Sequence, residues 1–260
     1  MDPTDELRDA LSAIVRSPLA TPEIAARRER IRKKTLADSR HLGSENFRAI
    51  HPEDLRRMVE GYDREFFGGR LLPALPGKAL HLWFSARMTR AGGRTVRRRV
   101  RRADGTLAVP TFEIRVSTTL LFASFREGGP AVRVVGHPCL DRLDALQRIL
   151  EHELVHLSEL LLDGVSSCKR EPFRRIAHGL FGHLEHTHDL VTPHRLASEV
   201  HGIHRGARVR FELAGVRHEG TVNRITKRAT VLVEDPEGEP YSDGKRYRKY
   251  LVPLQLLTRV

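Results

Sequence analysis

His152-Glu153-Leu154-Val155-His156 places two imidazoles four residues apart. On a helix this spacing puts both on one face, about one turn apart. Two such nitrogens suit a single zinc ion, which takes His nitrogen and Cys sulfur in tetrahedral geometry. A carboxylate directly after the first histidine can reach a water beside the ion, whose pKa zinc brings to roughly 7. His152 and His156 are therefore candidate metal ligands, and Glu153 is the candidate general base for hydrolysis at a polarised carbonyl. Their neighbours Ile149, Leu150, Leu154 and Leu157 are apolar, so two histidines and a glutamate would be costly to bury there without a partner.

A third ligand must come from beyond this segment. The pattern that supplies a histidine six residues after the second one is excluded, because Glu159 and Leu162 stand where it requires Gly and His. Asp163-Gly164 allows a reversal, and the chain from Gly164 to Cys168 spans up to about 13 Å, enough to return. Cys168 is thus within reach as a thiolate ligand; its alternative fate is that of a small buried hydrophobe. Glu171, His178 and His183 remain open as other third ligands.

The elements that must position these groups follow from periodicity. Apolar residues from Leu140 to Leu162 recur at helical spacing, which predicts one long helix carrying the motif. Another helix is expected from about Pro172 to Gly182, and a third from His51-Pro52-Glu53-Asp54 to Gly68-Gly69. Residues 79–84 and 112–116 carry strand signals, and the Arg-rich stretch between them is expected to be hairpin or loop. Residues 1–45 form a charged helical extension, broken by Pro18 and Pro22. After Pro193, segments 207–213, 218–224, 229–234 and 247–252 read as short strands between tight turns, the pattern of a small barrel.

Composition bounds the partners. The chain has 260 residues and a formal charge of +12, with 45 Lys and Arg against 33 Asp and Glu. The excess is localised: residues 87–102 hold eight Arg and no acid, and residues 202–260 hold 12 bases against 7 acids. An acid-free block repels itself unless an anion visits it, and guanidinium forks suit phosphates. Arg94, Arg97, Arg98, Arg99, Arg101 and Arg102, with Lys245 and Arg246 among tyrosines 241, 247 and 250, are the candidate nucleic-acid contacts. No apolar run approaches the ~18–20 residues that span a bilayer. Two cysteines make no disulfide framework, and the N-terminus lacks a basic-then-apolar leader. A cytoplasmic location is expected, at the nucleoid if the anion is DNA.

Tyr62-Asp63-Arg64-Glu65-Phe66-Phe67, Trp83-Phe84-Ser85, Ala91-Gly92-Gly93, Glu113-Ile114-Arg115-Val116-Ser117, the His152–His156 motif and Phe181-Gly182-His183, in that order and spacing, resemble the SprT-like zinc metallopeptidases. That family includes proteases acting on DNA–protein crosslinks. The resemblance covers about residues 50–195. It implies an α+β fold, a zincin-type domain of helices on a small mixed sheet, with His152 and His156 on zinc and Glu153 as base. The family often draws its third ligand from a His-Gly pair ahead of an aromatic; here Lys169-Arg170 precede Phe173, and adjacent Cys168 is the substitute. Residues 206–211 and 220–225 look like an SH3-like or KOW-type barrel, standing where some members carry a zinc ribbon. The expected layout is an extension over 1–45, a metallopeptidase domain over 46–200 and the barrel over 201–260. The expected activity is peptide hydrolysis on proteins associated with nucleic acid, DNA before RNA. The rival is a non-enzymatic nucleic-acid-binding or adaptor protein that keeps a structural zinc site.

Overall fold

Helix formation follows local signals in the computed structural model, which describes residues 3–101, 103–125 and 131–260. Helices α1 (Pro3–Arg16) and α2 (Thr21–Asp38) flank Pro18, and Pro22 sits in the first turn of α2, where its missing N–H is harmless. Helix α3 (Pro52–Phe67) opens on a reciprocal cap. The His51 ring accepts the Glu53 N–H, and the Asp54 carboxylate accepts the His51 N–H at 2.9 Å. Strands β1 (Leu80–Ser85), β2 (Gly93–Arg98) and β3 (Thr111–Ser117) come next, then α4 (Thr118–Ala123) and the hairpin β4 (Val132–Val134) and β5 (His137–Cys139). Helix α5 (Arg142–Leu162) carries the histidine motif and α6 (Glu171–Phe181) ends at left-handed Gly182.

The three strands make a mixed sheet in the order β1-β3-β2, with β1 parallel and β2 antiparallel to β3. The Arg-rich stretch expected as hairpin or loop thus contains an edge strand. Helix α5 packs on β2 and β3 and also meets α1, α2, α4 and α6. Leu11 and Val15 of α1 and Ile24 and Ile31 of α2 belong to the same core as Leu150 and Leu154 of α5. Residues 3–38 are therefore built into this unit rather than appended to it.

One buried acid fastens four of these pieces. Fully buried Glu151 of α5 accepts from Arg28 Nε at 2.7 Å, from the Tyr62 hydroxyl at 2.8 Å and from His183 Nε2 at 3.0 Å. Burial alone would raise its pKa. The Arg28 charge, with the bonds from His183 and Arg28, outweighs that and holds it at about 2.

The chain divides after Leu190 into two compact units, ten residues earlier than the expected boundary, so α7 (Pro193–His201) goes with the second. That unit adds β6 (Arg208–Leu213), β7 (Val216–Ile225), β8 (Arg228–Pro240), β9 (Arg246–Pro253) and β10 (Thr258–Arg259). They form an antiparallel sheet in the order β10-β6-β7-β8-β9 around Val209, Phe211, Val222, Val231 and Val252. The closed barrel expected from the sequence is not formed among the described residues. Strands β10 and β9 stand at opposite ends of the ladder, and β10 is only 2 residues long. The architecture of the whole chain is α+β.

Candidate metal centre

Helix α5 sets the spacing of His152, Glu153 and His156, and the reversal after it brings in the fourth residue. Gly164 takes a left-handed φ of 74°, a conformation open to glycine at no steric cost. The returning loop carries Cys168 back to the histidines. The donor atoms of His152, His156 and Cys168 all lie within 4.8 Å of one another. Tetrahedral zinc would ask for separations of about 3.3–3.6 Å, a difference within side-chain rotation. The other third-ligand candidates lie elsewhere. Glu171 is exposed and pairs with Arg175, His178 Nδ1 bonds to the His183 carbonyl, and His183 is committed to Glu151.

The two histidines are in the state that a cation needs. Burial, then the nearby His156, His183, His186 and His188, brings His152 down to about 2, and burial brings His156 to about 4. Both rings are therefore neutral at pH 7, with a lone pair free for a metal. The tautomer of His156 is fixed from behind. Ser166 gives its hydroxyl proton to Glu159 Oε2, so its oxygen accepts from His156 Nδ1–H at 2.6 Å. This leaves His156 Nε2 bare. Phe173 packs against both rings at a tilt, with ring centroids 4.8 and 4.5 Å away. Two imidazole nitrogens and one cysteine sulfur, the latter binding as thiolate, make a donor set that fits zinc.

Glu153 lies beneath the same cleft. Its side chain is buried, and Oε2 accepts the Thr95 hydroxyl proton at 2.7 Å. Burial raises it to about 7 against the opposing Thr95 bonds, a value suited to taking and returning a proton near neutrality. Space for it exists because residue 93 is glycine. A Cβ there would stand 2.5 Å from Glu153 Oε1.

The cleft encloses about 960 Å³ between β2, α5, the 164–168 loop and residues 186–188. His188 Nε2 accepts the Gly92 N–H at 2.9 Å and ties down the chain that enters β2. The structure brings the sequence candidates His152, Glu153, His156 and Cys168 together, and adds Gly93, Thr95 and Ser166, which the sequence had given no role at the site. Gly93 and Thr95 are 60 and 58 residues from Glu153, and no local pattern links them to it.

The basic residues are distributed less simply. Arg94, Arg97 and Arg99 line the cleft, whereas Arg98 is taken by Glu113 at 3.0 Å and Arg101 by the Gly105 carbonyl at 2.6 Å. Arg102 lies outside the described residues. In the second unit Lys245 pairs with Glu234, Arg248 with Asp235 and Lys249 with Glu239. Only Arg246 of that basic group has no acidic partner among the described residues. A second spacing match, His41, His51 and Glu53, is exposed, and His51 Nδ1 is already the acceptor in the α3 cap.

No described helix is long and apolar enough to cross a membrane. Comparison with protein-family models, with curated proteins and with solved structures gives no match.

Proposed function

We propose that this chain is a zinc metallopeptidase of the SprT-like kind, hydrolysing peptide bonds in proteins associated with nucleic acid, DNA before RNA. The observation that supports it is the gathering of His152, His156 and Cys168 beside buried Glu153 in one cleft. When bound, zinc supplies a Lewis acid for the carbonyl and lowers the pKa of a neighbouring water. Glu153 takes the proton of the attacking water while Thr95 holds its Oε2 in place, and the same carboxyl returns a proton to the leaving amine. The zincin-type reading of the first unit rests on the helix-on-mixed-sheet arrangement. The SH3-like reading of the second rests on its five-stranded antiparallel sheet with a short helical turn at Leu254–Leu256 before the last strand.

Protein purified without chelators should carry about one zinc per chain and lose it in His152→Ala. Glu153→Gln should keep the zinc and lose hydrolysis of casein, assayed with and without single-stranded DNA. Absence of zinc, or undiminished activity in Glu153→Gln, would sink the assignment. Cys168 itself favours a second reading, a structural zinc in a nucleic-acid-binding adaptor. A thiolate donor weakens the Lewis acidity of the ion, and structural sites are rich in Cys. Salt-sensitive DNA retention with no casein cleavage by the wild-type protein would select that reading.

A further inference from the structure

The lining of the cleft is electrically one-sided. Arg90, Arg94, Arg97 and Arg99 are among its lining residues, and Glu153 is the single acid of the lining among the described residues. Arg97 is the member that exposure to water explains least. It is half-buried, with its guanidinium carbon 5.9 Å from the centre of the Phe112 ring. Its Nη1 has only a long 3.5 Å contact to the Gly164 carbonyl, and its Nε is buried without an acceptor. Other cations, Arg99 and Arg8, are its charged neighbours. With only a 3.5 Å contact at Nη1 and cations for neighbours, the outer guanidinium nitrogens of Arg97 favour a ligand that brings an anionic acceptor.

Its place in the strand gives the ligand's position. Side chains alternate along β2, so Gly93, Thr95 and Arg97 share one face. Gly93 and Thr95 meet Glu153 on that face. Arg97 lies one pleat further on, about 6.6–6.8 Å along the strand, beside the loop that carries Ser166 and Cys168. A chain whose scissile carbonyl stands over Glu153 would therefore carry a neighbouring side chain to Arg97.

We propose that the cleft takes acidic peptide segments, and that Arg97 is the specificity-determining residue, binding an Asp or Glu side chain next to the bond that is cut. The proposal rests on the metallopeptidase reading for the cut, but not for the binding. The recessed position of Arg97 favours a peptide over a nucleic acid. A carboxylate on a short carbon stem can enter beside Phe112 and Gly164 and pair with a guanidinium fork. A phosphodiester is flanked by sugars on both sides and is better met by the exposed Arg94 and Arg99.

The test uses the 260-residue chain with zinc added to the buffer, and three fluorescein-labelled, alanine-rich peptides that differ only in Glu, Gln or Lys at one position. The Glu peptide should bind at least ten-fold more tightly than the Gln peptide. The gap should shrink below two-fold in Arg97→Gln, survive in Arg97→Lys and turn toward the Lys peptide in Arg97→Glu. Cleavage products of a denatured protein mixture should show Asp or Glu enriched at one fixed position, and Arg97→Gln should erase that enrichment. Equal binding of the Glu and Gln peptides, or a preference unchanged in Arg97→Gln, overturns the proposal. So does a single-stranded oligonucleotide that displaces the peptide and loses the same affinity in Arg97→Gln. Selective binding of the Glu peptide with no cleavage of any substrate would uphold the acidic site and sink the metallopeptidase reading instead.

Discussion

Cys168 and Ser166 are the residues on which the proposed metal centre depends most directly. Among the described cysteines and histidines, Cys168 joins His152 and His156, while Cys139 is buried and its thiol is pushed up to about 12, chiefly by burial. The two cysteines should therefore separate by chemistry. In metal-free protein iodoacetamide should modify Cys168 and spare Cys139, and zinc should protect Cys168. Mass spectrometry of the alkylated peptides reads both outcomes, and modification of Cys168 at the same rate with and without zinc would remove it from the site. Ser166 acts one step back, holding His156 in the tautomer that leaves Nε2 bare. Loss of such a second partner lowers metal affinity by roughly 10–100-fold. Ser166→Ala should show that fall in a chelator competition, and an unchanged affinity would assign the serine to packing alone.

At the scale of the elements, β2 and α5 together build the cleft, and β3 holds β2 in register. Part of that hold is a cross-strand ionic pair. Glu113 of β3 accepts from Arg115 on its own strand and from Arg98 on β2. These bonds, Arg115 first, depress its pKa despite an opposing effect of burial. A depressed carboxylate stabilises the fold above the usual carboxylate range, and the contribution is lost as pH falls through the folded value. Arg98 and Arg115 are both more than a third exposed, so the pair is worth only about 1 kcal/mol. Glu113→Gln should be less stable than wild type by about that much at pH 7 in urea unfolding. The two proteins should converge as the pH falls through the depressed folded value of Glu113, below the usual carboxylate range. A difference that persists there would mean that the side chain works through packing rather than charge.

The whole molecule consists of two units with separate hydrophobic cores, one around α5 and one inside the β6–β10 sheet. The candidate ligands all belong to the first. Binding to a native state stabilises it by RT ln(1 + [L]/Kd), about 2.7 kcal/mol at 100 times Kd. Calorimetry of the full chain should show two transitions, of which zinc raises one and leaves the other in place. A single transition shifted as a whole would show that the two cores unfold together.

The sequence by itself determined the helix that carries the motif, because periodicity over more than twenty residues and a Gly after Asp163 are local signals. It also put His152 and His156 on one face, since an i, i+4 histidine pair faces one way on any helix. It left Cys168, Glu171, His178 and His183 as alternatives, because the path of a loop after a left-handed glycine is set by what it packs against. The tertiary structure groups Cys168 with the histidines, sets Phe173 beside their rings and gives His183 to the buried Glu151. It also chose hairpin over loop for the arginine-rich stretch, pairing β2 with β3 as an edge strand. Pairing with β3 supplies the backbone partners there, and Thr95 reaches Glu153 across 58 residues. Short-range geometry is written into residue spacing. Contacts between distant segments are not, because they depend on every surface that competes to bury the same side chains.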